Sequence, residues 1–204
     1  MARLTDNEFM EMLEHYRHEF YRYVLRNVWN PDTAEDVMSS AILAAYKQLD
    51  KFQKGTNFRA WMYRILTNKC FVANRETQRS SIDLDSIDES LFTADEENLK
   101  RAYADPKSFL AECGDELNKA MRQLSTAERS CLLLLTMEKY SYKEIASILD
   151  MPVGTVMTHL ARGRAKLRRL LVEYAKSEGI LSDSKYQKYS QNQDEDSSGI
   201  RRIS

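Results

Sequence analysis

The residues whose spacing carries the most chemistry lie between 142 and 171. Tyr142–Leu149 is a short helical stretch with Ile145, Ala146 and Leu149 on one face, and Asp150-Met151-Pro152 breaks it. A longer helical pattern follows over 153–176, with Pro152 near its first turn, where an absent N–H costs nothing. Val153, Val156, Leu160, Leu167 and Leu171 form its apolar stripe. Over 153–169 the rest includes Arg162, Arg164, Lys166, Arg168 and Arg169 and no acid, and Thr155, Thr158, Arg162 and Arg169 follow a stripe away from the core. A short helix, a tight turn and a basic second helix make a helix-turn-helix, whose second helix suits a major groove. Polar groups in its first half can reach base edges, and the arginines of its second half suit phosphates. Gly154 leaves room for a phosphate at the helix N-terminus. The candidate duplex contacts are Thr155, Thr158, His159, Arg162, Arg164, Lys166 and Arg169. The same pattern also fits a solvated basic helix that closes a bundle.

A second constellation runs from Phe52 to Arg79, where Phe58, Trp61, Tyr63 and Phe71 interleave with Lys54, Arg59, Arg64, Lys69, Arg75 and Arg79. Aromatic and basic residues together suit single-stranded nucleic acid, because bases stack while phosphates are neutralised. Spacing alone favours an aromatic core with basic edges. No acidic metal cluster, nucleophile–base pair or phosphate-cradling glycine loop accompanies either constellation, so no catalytic residue, metal or cofactor is assigned. Cys70, Cys113 and Cys131 are scattered, with no CxxC, and read as small core residues. His15 and His18 lack the further ligands of a metal site.

The elements that must position these residues are all helical. Glycine and proline are scarce, strand-like alternation is missing, and 43% of the chain is apolar. Thr5-Asp6-Asn7-Glu8, Ser125-Thr126-Ala127-Glu128 and Ser141-Tyr142-Lys143-Glu144 are capping boxes, and Asp32-Thr33-Ala34-Glu35 is a weaker one. Helices are predicted over 6–28, 33–49 and 58–77, with a loop at 52–57, and then over 108–123, 126–138, 142–149 and 153–176. On the third helix Phe58, Trp61, Ile65 and Val72 fall near one side.

Charge divides the chain further. Residues 1–79 hold 12 bases and 10 acids, 80–120 hold 4 and 11, and 121–181 hold 10 and 6. An acidic middle thus separates two basic flanks. The resulting fold is all-α: one small helical domain over 1–79, a flexible acidic linker over 80–107, a helix-turn-helix domain over 108–178 and a disordered polar tail over 179–204. No stretch is apolar enough to span a membrane, and the start does not read as a signal peptide, so a cytoplasmic protein without membrane insertion is expected.

The segment Phe52-Gln-Lys-Gly-Thr-Asn-Phe-Arg-Ala-Trp-Met-Tyr-Arg-Ile-Leu-Thr-Asn68 resembles the promoter-melting, −10-reading part of extracytoplasmic-function (ECF) sigma factors of the sigma-70 family. Tyr142-Lys-Glu-Ile-Ala followed by Met151-Pro-Val-Gly-Thr-Val-Met-Thr-His-Leu-Ala-Arg-Gly-Arg-Ala-Lys-Leu167 is similar to their −35-reading region, and the likeness extends over about 6–175. Gly55-Thr-Asn, Arg64-Ile-Leu-Thr-Asn68 and Gly154-Thr-Val-Met157 most resemble the subgroup controlled by zinc-binding anti-sigma factors.

The resemblance implies a factor that directs core RNA polymerase to promoters and has no catalysis of its own. Asp32, Glu35, Asp36 and Val37 would dock on the β′ clamp helices, and the second domain on the β flap. Lys54, Asn57, Arg59, Trp61, Asn68, Lys69 and Arg75 would meet the −10 element, with a flipped base held by the Gln53–Asn57 loop. An anti-sigma factor is the implied regulator, and a stress response the implied setting. Ser39-Ser40 replace a usual Gln-Glu pair, and His159 and Ala161 stand where arginine and larger residues are common, so the −35 sequence does not carry over. Two other readings compete. A stand-alone helix-turn-helix regulator would leave 52–68 without a purpose, and a nucleic-acid enzyme lacks every catalytic signature.

Overall fold

The computed structural model describes residues 4–53, 55–80 and 115–177, all of whose regular elements are helices. The expected linker over 80–107, apart from Ser80, lies outside them, as do the tail over 179–204, Cys113 and Lys54. In order the helices are α1 (Asp6–Val28), α2 (Pro31–Lys47), a 3₁₀ turn (Leu49–Lys51), α3 (Phe58–Ser80), α4 (Asp115–Arg122), α5 (Thr126–Thr136), α6 (Tyr142–Leu149) and α7 (Val153–Ser177).

Local sequence sets the ends. The capping boxes at Thr5, Ser125 and Ser141 all form, each hydroxyl accepting from the backbone N–H of the glutamate three residues on. The one expected at Asp32-Thr33-Ala34-Glu35 does not. Asn30 caps α2 instead, its Oδ1 accepting from the Thr33 N–H at 2.8 Å, and Pro31 takes the first helical position. Proline's fixed φ is already helical there, so the helix begins two residues earlier than the box implies. Trp29 ends α1 in the left-handed region, at φ 58°, and Asp150 ends α6 likewise, at φ 55°.

Helices α1–α3 close around an aromatic core. Phe9, Phe20, Tyr23, Phe58 and Tyr63 are buried and meet edge to face, with Phe20–Tyr63 at 5.2 Å and Tyr23–Tyr63 at 4.9 Å. Such pairs add about 0.5–1.5 kcal/mol beyond the area they bury. On α3 the expected row of Phe58, Trp61, Ile65 and Val72 is covered only at its first end. Ile65 is buried, Asn68 is exposed and Val72 stands 45% open, while Met62, Leu66 and Cys70 take the core side. Val153 departs too: it is exposed rather than packed, whereas Val156, Leu160 and Leu167 hold α7 to the second core.

The two helical units share a continuous core. Helices α1 and α3 of the first pack on α5 and α6 of the second. Their junction holds a buried polar net: the Asn74 amide donates to the Asn27 carbonyl and the Thr126 hydroxyl, both at 3.1 Å, and Ser130 donates to Asn27 Oδ1 at 3.0 Å. Buried amides stay only where partners satisfy them, so this net fixes the register of α5 against α1 and α3.

Cys70 and Cys131 sit in this core, and burial pushes both thiols up to about 12. In a Cys113→Ser chain neither should react with a thiol reagent at mildly alkaline pH, and both should react once the chain is denatured. Alkylation followed by mass spectrometry checks this.

Candidate nucleic-acid interfaces

The helix-turn-helix is α6, the Asp150–Pro152 turn and α7. The left-handed Asp150 lets the Met151 N–H reach the Ala146 carbonyl at 3.0 Å, which ends α6 sharply. Pro152 lies just before α7 rather than within it, and its carbonyl accepts from Thr155 at 2.9 Å and Val156 at 3.2 Å. Two contacts then seat α7 on α5. A Cβ at Gly163 would lie 2.9 Å from Leu132 Cδ1, so the glycine permits the close approach. Lys166 donates to Glu128 at 2.8 Å, and the same carboxylate closes the capping box of α5. Burial works against the charged Glu128, but Lys166 and the Ser125 backbone and hydroxyl outweigh it and hold its pKa below the usual value.

These contacts sort the sequence-predicted residues. Thr158, Arg162, Arg164 and Arg169 are exposed along α7, beside Gly154, Met157 and Ala161. The Thr158 hydroxyl donates back to the Gly154 carbonyl at 2.9 Å, which leaves its oxygen able to accept a further hydrogen bond. Thr155 and His159 are half-buried, and His159 Nδ1 is buried without a partner among the described residues. Lys166 is turned to α5 by Glu128, so it acts as a seat for the helix and not as an open phosphate contact.

The first unit presents a second outward stripe on α3: Arg64, Asn68, Phe71, Val72 and Arg75 are exposed, and Lys69 is half-buried. Of the interleaved aromatics, Phe58 and Tyr63 are core, as the plainer alternative had it. Trp61 is half-buried, its ring tilted against Phe52 at 5.0 Å and Phe58 at 5.9 Å. Phe71 alone of the four turns outward, 39% exposed. In the loop, Gly55 takes φ +94°, a region other residues avoid, and Asn57 caps α3 by accepting from the Ala60 N–H at 3.0 Å.

Arg59 is not on the open face. Its guanidinium meets Glu19 and Glu138, each at 2.6 Å, and lies over Tyr63 and Tyr140 at 5.6 and 5.3 Å. Glu138 has no exposed side-chain surface and also accepts from the buried Arg22 at 2.9 Å. Sequence reasoning did not find Glu138: a lone glutamate in a turn carries no pattern. On α2, Asp32, Glu35 and Asp36 are exposed as expected, but Val37 is 4% exposed and belongs to the core with Ala34, Met38 and Ala41. Leu43 and Tyr46, at 54% and 47%, are the apolar side chains α2 offers to solvent, and they were missed because an isolated exposed apolar residue looks like core in a sequence.

Family models match both stripes. The model described as Sigma-70 region 2 covers 12–80, and Sigma-70, region 4 covers 114–167. The chain is 30% identical over 142 residues to the ECF RNA polymerase sigma factor EcfG of Rhodopseudomonas palustris, covering 70% of this chain and 73% of that protein. The chain belongs to the ECF sigma factors of the sigma-70 family. Its activity is therefore promoter-specific initiation of transcription. It is also 27% identical to the ECF sigma factor SigE of Mycolicibacterium smegmatis over 81% of this chain, spanning 62% of that protein's length. Among solved structures it is similar to the sigma factor RpoE of Bartonella quintana in complex with the anti-sigma factor NepR, with a TM-score of 0.59 at 23% identity over 80% of this chain and 96% of that one. In this sigma factor, then, the α7 and α3 stripes lie in its region 4 and region 2 parts. No described helix is long and apolar enough to cross a membrane.

Gly163→Val should push α7 from α5 and destabilise the protein by about 1–3 kcal/mol, the usual cost of overpacking. Urea unfolding measures it. The change should also weaken −35 binding by the holoenzyme, because α7 loses its seat.

Proposed function

We propose that this sigma factor reads the −35 duplex with the exposed first half of α7 and the −10 element with the outward stripe of α3, while the acidic start of α2 docks on the β′ clamp helices and the second unit on the β flap. The observation that carries this is the solvent-facing row Gly154, Met157, Thr158, Ala161 and Arg162, set by Gly163 and Lys166 at a fixed angle on α5. Met157 and Ala161 are apolar and outward, which suits thymine methyl groups. Arg164 and Arg169 lie along the same helix, where phosphates flank a groove. On α3, Asn68 offers a polar edge, Phe71 a stacking face and Arg75 a charge, the combination that single strands require.

The docking surface of α2 combines Asp32, Glu35 and Asp36 with the exposed Leu43. An anti-sigma factor is the further partner, supported by the NepR complex of the RpoE neighbour. The zinc-binding class of such partners is supported by Gly55-Thr-Asn, Arg64-Ile-Leu-Thr-Asn68 and Gly154-Thr-Val-Met157. The cytoplasm, where the polymerase works, is the proposed site of action.

Holoenzyme binding to a −35 mutant panel across a salt series tests the division of labour. Arg162→Ala should cost about 1–3 kcal/mol and relax preference at one base pair. Arg169→Ala should weaken all sequences alike and lower the salt slope by about one. Lys166→Ala should lower stability and leave the slope nearly unchanged. An unchanged base preference in Arg162→Ala would remove this residue from base readout.

Asn68→Ala should impair promoter opening, read by permanganate reactivity, while binding to core polymerase persists. Unchanged melting on every active promoter would take Asn68 out of the −10 site.

A further inference from the structure

The first half of α7 turns apolar groups and one acceptor outward, and no spare donor. Val153 and Met157, four residues apart and so on one side of the helix, are 37% and 52% exposed, and Ala161 continues the row. The Thr158 hydroxyl spends its proton on the Gly154 carbonyl and keeps only its capacity to accept. Thr155 and His159 are half-buried, and Val156 and Leu160 face the core. The first exposed cation along α7 is Arg162, and Arg164 and Arg169 follow it.

Room lies between these groups. At about 3.6 residues per turn, Gly154 and Ala161 fall between Met157 on one side and Thr158 on the other. A Cβ at Gly154 would meet nothing within 4 Å, so the packing of the protein itself does not call for a glycine there. Glycine is less favourable than alanine in a helix. Its effect at this position is to leave the surface between Met157 and Thr158 low, so that the floor of a groove can come up to the backbone with Met157 and Thr158 on either side.

Base pairs answer differently to such a surface. In the major groove guanine shows two acceptors, which would find no donor here, and an unpaired buried acceptor weakens binding. The Thr158 oxygen can accept from adenine N6 or from cytosine N4, so it does not by itself choose between the pairs. The methyl group does choose, because thymine alone carries one. Taking that methyl out of water against an apolar side chain is favourable, and the unbranched thioether of Met157 adapts its shape to such a contact.

We infer that Met157, with Val153 beside it, determines the specificity of the first half of α7 by selecting an A·T pair of the −35 element through the thymine 5-methyl group, a role that rests on α7 being the −35 helix as proposed above. Arg162 reads its own base pair further along the helix, and Arg164 and Arg169 hold phosphates.

The test uses holoenzyme, formed from the full chain and core polymerase, and a promoter that it transcribes. Each thymine of the −35 element is replaced in turn by deoxyuridine, which removes the methyl group and keeps every hydrogen-bonding group. The same exchange in the spacer between the two elements controls for changes in the duplex. At one −35 position the exchange should weaken binding about fourfold, the factor that one buried methyl-sized group carries. With Met157→Ala the thymine and deoxyuridine promoters should bind alike, and Met157→Leu, which keeps the apolar reach, should bring the difference back. Deoxyuridine without effect at every −35 position, while other −35 changes still weaken binding, overturns methyl readout and leaves α7 as the −35 helix. A wild-type holoenzyme indifferent to the −35 sequence overturns both. An equal penalty in the spacer overturns methyl readout as well, and a −35 penalty undiminished in Met157→Ala overturns the role of Met157.

Discussion

The relative placement of the two helical units depends on one buried carboxylate, Glu138, set beside the Asn27–Asn74–Ser130 net. Taking Glu138 out of water carries a desolvation penalty of several kcal/mol, which only well-placed opposite charges offset. Arg22 and Arg59 supply them, and Glu19 brings the cluster to two charges of each sign. Removing one member of such a group costs about 3–5 kcal/mol, because the remaining charges stay buried without their partner. Replacing the whole group with apolar side chains of equal volume is often neutral. The cluster therefore acts less as glue than as an address. It ties the α5–α6 turn to α1 and α3 through named partners.

From that turn outward the placement is handed on by short-range contacts. Helix α6 begins at its capping box and ends at Asp150 in the left-handed region, which fixes the angle at which α7 leaves. Gly163 then lets α7 approach α5 to contact distance, and Lys166 anchors it on Glu128. Glu128 serves both ends of this arrangement, closing the N-terminus of α5 and receiving the lysine from α7. A basic helix can thus face solvent with its arginines while one of its positive charges is neutralised at its back. Seating and display are separate jobs, and different residues of the same helix carry them.

This separation explains what the sequence made legible and what it hid. Helical type, the three capping boxes and the helix-turn-helix were plain, because they are local: a hydroxyl and a glutamate three residues apart make the same bonds wherever they occur. The basic character of α7 was plain too. Its orientation was only partly so. Lys166 and Arg164 look alike in a list of charges, and only the packing of α5 shows that one faces inward. Val37 and Val153 failed in opposite directions for a related reason. A helical stripe gives a direction, but whether a neighbour covers that direction at a given turn is a tertiary fact. Arg59 was read from its neighbours Phe58 and Trp61 as a nucleic-acid contact, while its partners, Glu19 and Glu138, lie 40 and 79 residues away. No pattern in one chain reveals a pair at that separation.

The use of arginine at the junction has a consequence that lysine would not. A guanidinium over Tyr63 and Tyr140 keeps its aromatic contacts whatever anion it holds, and its in-plane N–H groups fit a carboxylate or a phosphate with similar geometry. Among the described residues Arg22 has only Glu138 as an ionic partner, so loss of that carboxylate strands a buried guanidinium. The same junction holds the Asn27–Asn74–Ser130 net and the Tyr63–Tyr140 edge contact.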